Sequence, residues 1–226
     1  MATNPITWRP EIDQYTIKFL IGFVALSLPV VELVLSHGAI TSISESYWYA
    51  DSHWSRNIFV GSLFAIAALL TGYNGTSSTQ LVLGKLAAIA AVLIAIFPCN
   101  CGDNAHEIVK GVHAGSAGVM FAVLGWFCWD FIERAKTKLK DERKTAASRR
   151  IAIYRACGIG MVIATALFVA HAVTNEEPLV FWGETFGLFS FGFSWLTASH
   201  KLPGITHTSE REVLFGFGPT QAGRSA

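Results

Sequence analysis

The stretch ERAKTKLKDERKTAASRRIAIYRACGIGMVIATALFVAH, residues 133–171, changes character at its midpoint. Residues 133–150 hold eight Lys and Arg, whereas residues 151–171 hold a single firm cation, Arg155, among mostly apolar side chains. A helix crossing the hydrocarbon core of a bilayer needs about 20 predominantly apolar residues. The second half therefore reads as a membrane span, over 152–173, and the first as the polar loop that precedes it.

Five further segments approach the same length and composition: 16–36, 57–73, 80–98, 111–132 and 180–198. The 226-residue chain is 52% hydrophobic and only 15% charged, with a mean hydropathy of +0.43, which argues against an ordinary soluble domain. The expected class is all-α: a polytopic bundle of about six transmembrane helices. Residues 1–15 form an N-terminal segment, 16–200 the membrane domain and 201–226 a flexible tail rich in Gly, Pro, Ser and Thr. No cleavable signal is expected, because residues 1–15 are polar and the first apolar run is long enough to stay as an anchor.

Charge asymmetry sets the expected orientation. Positive loops stay cytoplasmic, which puts 133–150 and both termini inside a cell membrane and turns the loops 37–56, 99–110 and 174–179 outward. Those outward loops carry only Arg56 and Lys110 as firm cations. Between two spans the basic loop faces anionic lipid headgroups, and no nucleic-acid partner is expected. Lys85 and Arg155, near the inner ends of spans, are expected to snorkel. Aromatics at span ends, including Trp126, Trp129, Trp182 and Trp195, fit an interfacial belt, with some packing inside.

This topology gathers the conspicuous polar residues at one depth. Glu32, His37, His113, His171 and Glu184 all fall near the outer leaflet, beneath the loop residues Ser44, Tyr47, Asp51, His53, Asp103, His106 and Glu107. Ionisable groups within the membrane are costly and usually face a bundle interior or a wet cavity. Two readings of this ring stay open. In one, His37, His113 and His171 hold zinc, with Asp51 or Glu184 as general base. In the other, the ring is hydrogen-bonded interfacial chemistry, since no HxxH, HxxxH or HExxH spacing is present. The stretch FPCNCGDNAHEIVKGVHAGS, 97–116, adds Cys99 and Cys101, which can form a disulfide, bind a soft metal, remain free or pair with another chain. Cys128 and Cys157 read as small apolar fillers. Small-xxx-small pairs at Gly111/Gly115 and Gly183/Gly187 suit close helix approach.

The blocks SISESYWYADSHWSRNIFVGSLFAIAALLTGYNG (42–75), IYRACGIGMV (153–162) and VFWGETFGLFSFGFSWL (180–196) resemble a family of small bacterial multi-pass membrane proteins. Ser42, Ser44, Tyr47, Tyr49, Arg56, Phe59 and Gly61 match that family's first block, and His113, Trp182 and Glu184 match its later ones. The family continues from Phe-Pro without the two cysteines, which argues against an essential role for Cys99 and Cys101. A more distant similarity is to the Frag1/DRAM/Sfk1 membrane proteins. The scattered Ser, Asp and His also resemble the alkaline ceramidase and adiponectin-receptor superfamily, whose zinc chemistry would imply lipid hydrolysis.

Three functions follow as expectations. The first is a membrane protein whose polar outer pocket, with Glu32, Ser44, Tyr47 and Trp182, binds a lipid headgroup, a small solute or a partner protein. The second is a zinc-dependent hydrolase of a membrane lipid, and the third a proton-coupled carrier working through Glu32 and Glu184. Membrane lipids are the expected partners; a homo-oligomer or a place in a larger membrane assembly fits the same surface.

Overall fold

A computed structural model describes residues 13–49, 53–101, 109–139 and 144–210. Among the described residues the regular structure is helical: α1 (Gln14–Leu35), α2 (His53–Gly72), α3 (Ser78–Ile96), α4 (Val112–Lys136), α5 (Lys144–Thr174) and α6 (Pro178–Ala198). Short 3-10 turns occupy Ser44–Tyr47 and Thr208–Glu210. Helices α1 to α5 are each long and apolar enough to cross a membrane. Their apolar exposed faces suit a lipid solvent: Ile159, Val162, Val169 and Val173 of α5 all stand open.

Each helix packs on its neighbours in sequence, and α6 returns to α1, so the six close into a ring. Helix α6 also touches α4 and is enclosed by three helices. That enclosure explains its composition, because Gly183, Gly187, Ser190, Gly192, Ser194 and Thr197 are buried against protein and need not dissolve in lipid. The seam with α1 is a backbone contact. A Cβ added at Gly22 would lie 2.7 Å from the Gly192 carbonyl oxygen, and one at Gly192 would lie 2.9 Å from the Gly22 carbonyl oxygen. The Gly183/Gly187 pair instead seats aromatic rings, Phe168 and Phe121, while Gly115 faces open space.

Several expectations are refined. Helix α5 begins at Lys144, not near residue 152, because Ala146, Ala147 and Arg150 are buried and Lys, Ala and Arg are good helix formers. Trp195 is no belt residue; it is fully buried with Tyr73, Phe127, Phe131 and Phe191 around it, whereas Trp129 and Trp182 are exposed. Parts of the described tail contact the helices: Lys201 and Thr206 are buried, and Arg149 donates to the Gly204 carbonyl at 2.6 Å. Lys85 does more than snorkel, donating to the carbonyls of Thr71 and, at 3.1 Å, Tyr73 past the C-terminal end of α2. Those carbonyls lack helical partners, so a cation there is favourable.

Candidate functional site

The end of the ring that carries the α1–α2 connection is organised by Glu184. Its Oε2 accepts hydrogen bonds from Ser42 Oγ at 2.9 Å and from the Ile43 N–H at 2.5 Å, and its Oε1 accepts from Ser44 Oγ at 2.5 Å. The Phe181 N–H donates to the Thr41 carbonyl, so the start of α6 holds the loop at two points. Local turns make this possible. Glu45 accepts from the backbone N–H and hydroxyl of Thr41, and Ser42 Oγ accepts from the Ser44 N–H. Short polar side chains that bond nearby backbone favour such turns over helix.

His113, in the first turn of α4, joins the same cluster. Its Nδ1 lies 2.9 Å from the Phe97 carbonyl oxygen and its Nε2 lies 3.2 Å from Ser44 Oγ. A carbonyl only accepts, so Nδ1 carries a proton and the neutral ring offers Nε2 as acceptor. Ser44 has one hydroxyl proton for two acceptors. The Ser44 oxygen lies 2.5 Å from Glu184 Oε1 and 3.2 Å from His113 Nε2, so the carboxylate and the ring share it. Ser44 is the middle member, with both sides of its oxygen engaged and its side chain buried. That order makes a clasp, with Ser44 as its link between α6 and α4.

The rest of the loop is stitched down in the same manner. Trp48 Nε1 donates to the Cys99 carbonyl at 2.8 Å, and the Tyr49 hydroxyl donates to the Ser36 carbonyl. Cys99 and Cys101 are paired with each other as a disulfide. Under the loop, Glu32 is fully buried and accepts from the buried Ser55 hydroxyl. Its Oε1 has no hydrogen-bond partner among the described residues.

The predicted site residues thus separate. Glu184, Ser44 and His113 meet; Glu32 forms a second group with Ser55. His37 is exposed and takes a left-handed backbone, φ 53°, where α1 ends and the Gly38 N–H reaches back to the Leu33 carbonyl. That is a helix-terminating role. His171 contacts the Glu176 carbonyl of its own turn. Among the described residues no three His, Cys, Asp or Glu side chains gather in a way that could hold a metal ion, so the three-histidine zinc set has no centre here. Asp51, Asp103, His106 and Glu107 lie outside the described residues.

Beside the clasp, a groove of about 640 Å³ runs between α2 and α3. Its upper wall is Tyr47, His53, Arg56 and Asn57, and its floor is Val60, Gly61, Ala95 and Ile96. Arg56 stacks over the Tyr47 ring, 4.4 Å from its centroid, and donates to the Tyr47 hydroxyl at 3.0 Å. Tyr47 ends the turn that Glu184 clasps at Ser44, so the clasp fixes one wall of the groove. Tyr47 was legible as a site residue; Arg56 matched the same sequence block but carried no assigned role. Trp182 stands apart, exposed on α6 beside Phe181 and Phe186.

Compared with protein-family models, curated proteins and solved structures, the chain matches none.

Proposed function

We propose that this integral membrane protein binds a membrane lipid laterally, in the groove between α2 and α3. The observation that carries the reading is the polarity gradient of that groove. Polar His53 and Asn57 and the cationic Arg56 stand at the membrane-surface end, and apolar Val60, Ala95 and Ile96 line the part that lies deeper. A headgroup at the interface with an acyl chain running inward has the same gradient. Most binding sites for apolar ligands combine an apolar lining with a few convergent polar groups, and Arg is suited to the phosphate or carboxylate of a headgroup. The basic end, with Arg134, Lys136, Lys138, Lys144, Arg149 and Arg150, faces the cytoplasm of a cell membrane in this reading, which turns the groove outward.

Gly61 supplies the test. A Cβ at this position meets nothing within 4 Å, so a larger side chain enters the groove without displacing protein atoms. Gly61→Leu and Arg56→Gln proteins are reconstituted in nanodiscs of mixed lipids, and the lipid retained on release is read by native mass spectrometry. Gly61→Leu is expected to lose the retained lipid and Arg56→Gln to lower it, with unfolding free energies within about 0.5 kcal/mol of wild type or, for Gly61→Leu, higher by up to about 1 kcal/mol. Equal retention in wild type and both variants sinks the proposal.

A further inference from the structure

The opposite end of the ring holds a cavity of about 170 Å³ that the outer polar residues do not touch. Its lining includes Tyr15 and Lys18 of α1, Arg134 of α4, Arg150 of α5, and His200 and Glu210 of the tail. The volume is several times the ~30 Å³ share of one water in the liquid, so it admits a small ligand group. It lies near helix ends: Lys18 is the fifth residue of α1, about 6 Å from its start at the rise of a helix. That is headgroup depth.

Lys18 is 8% exposed, and among the described residues its ammonium group has no hydrogen-bond or ion-pair partner. It has only rings: Tyr15 at 5.4 Å, and Tyr73 and Phe131 at 5.7 Å. Such contacts are worth far less than desolvating an ammonium group costs. Arg150 is 2% exposed, and its Nε also has no hydrogen-bond partner among the described residues. Its Nη1 contacts His200 Nε2 at 3.2 Å, and its Nη2 lies 3.0 Å from a Glu210 carboxylate oxygen. The described acids nearby are committed elsewhere: Asp130 is shared by Arg134 and Gln80, and Asp13 caps α1 through Thr16 and faces Lys201.

We propose that this cavity binds a phosphoryl group, and that the Glu210 carboxylate occupies the same place as an internal stand-in. The Glu210 carboxylate lies against one nitrogen of Arg150 and leaves Lys18 and Arg150 Nε unmet among the described residues. A phosphoryl group carries more oxygens and up to twice the charge, enough to engage the guanidinium fork and the ammonium together. Glu210 belongs to the three-residue turn Thr208–Glu210, which brings its carboxylate from the tail to Arg150. The site is independent of the α2–α3 groove. The phosphoryl group belongs either to a phospholipid headgroup or to a free phosphate.

The full chain is purified in maltoside, which contains no phosphate, and its thermal unfolding is followed against inorganic phosphate, with chloride at equal ionic strength as reference. In parallel, it is placed in phosphatidylcholine nanodiscs with and without phosphatidic acid. Stabilisation by phosphate above the chloride reference assigns a free ion; stabilisation by phosphatidic acid alone assigns a headgroup. Lys18→Met is expected to lower the affinity at least about tenfold while melting no lower than wild type, because it removes an unpaired buried charge. Should that variant misfold, Lys138→Gln, which also lines the cavity, replaces it with a smaller loss. Glu210→Gln is expected to raise affinity about threefold or more by removing the competitor. No specific stabilisation in either wild type or Glu210→Gln, or undiminished affinity in Lys18→Met, overturns the site; unchanged affinity in Glu210→Gln overturns the stand-in.

Discussion

The two ends of the ring treat buried charge in opposite ways. At the acid end, Glu184 is surrounded by donors: two serine hydroxyls and a backbone N–H all point at it, and His113 closes the cluster. At the basic end, among the described residues, the Lys18 ammonium group contacts aromatic rings and has no hydrogen-bond partner, and the Nε of Arg150 has none either. A charge met by its own fold is a fastening, whereas one left wanting is poised for something else. The difference teaches that conspicuous polar residues in a membrane sequence can be structural while quieter ones are available for binding.

Removing the Glu184 carboxylate should have the largest effect on this contrast. Glu184→Ala leaves the Ser42 hydroxyl and the Ile43 N–H without their acceptor beneath a stitched loop, and Ser44 with only the His113 ring. Each unsatisfied buried group costs about 1–3 kcal/mol, so a loss on the order of 3 kcal/mol or more is expected in detergent-solubilised protein. Glu184→Gln keeps the shape and one acceptor oxygen and should lose less. Lipid retention in the proposed α2–α3 site should fail along with the clasp, since Tyr47 loses its anchor. If Glu184→Ala melts like wild type, the acid end is no fastening and the contrast between the ends is gone.

A smaller effect should come from acidification acting on the basic end. His200 is packed among Arg150, Lys18 and Lys138, with Glu210 beside them and Tyr15 stacked at 5.0 Å. Burial first, and then the Arg150 and Lys18 charges, push its imidazole down to about 4. An imidazole depressed in the folded state binds fewer protons there than in the unfolded chain. Stability contributed by keeping it neutral is therefore complete above its ordinary value near 6.5 and is lost as pH falls toward 4. Wild type should lose thermal stability across this window faster than His200→Gln. Parallel pH profiles for the two proteins would show that His200 is solvated and outside the cationic cluster.

How much of this was legible follows from what each feature depends on. The helices rest on long apolar runs, which are local, so all six are readable and only their charged extensions escape. Lys144 to Arg150 looks like loop by charge yet is helical, because its buried face is Ala146, Ala147 and Arg150. The meeting of Glu184 with His113 follows from helix depth once the topology is known, although Ser44 as the link depends on a loop conformation that no periodicity encodes. Lys18 had a usable signal: Lys18, Ala25 and Glu32 are seven apart and share one buried stripe of α1. A lysine near a cytoplasmic end is normally explained by snorkelling, which hides a buried one. Glu210 had no signal, since its place depends on where a Gly- and Pro-containing tail lands.

The smallest effects should fall on the two histidines that stand apart from both ends' clusters. His37 adopts φ 53°, a conformation that costs an L-residue roughly 1–2 kcal/mol and glycine little. His37→Gly should leave stability unchanged or raise it by up to about 1 kcal/mol, because the strain relieved is partly offset by the greater freedom glycine gives the unfolded chain. His171→Ala gives up one contact to a carbonyl in an exposed turn and should change stability by no more than about 0.5 kcal/mol. Neither should alter the metal content read by elemental analysis. If both substitutions remove a stoichiometric zinc ion while the fold persists, the histidines come together in a state different from this one. The acid end would then be a metal centre, and its contrast with the basic end would be one of ligand chemistry instead of satisfied against unsatisfied charge.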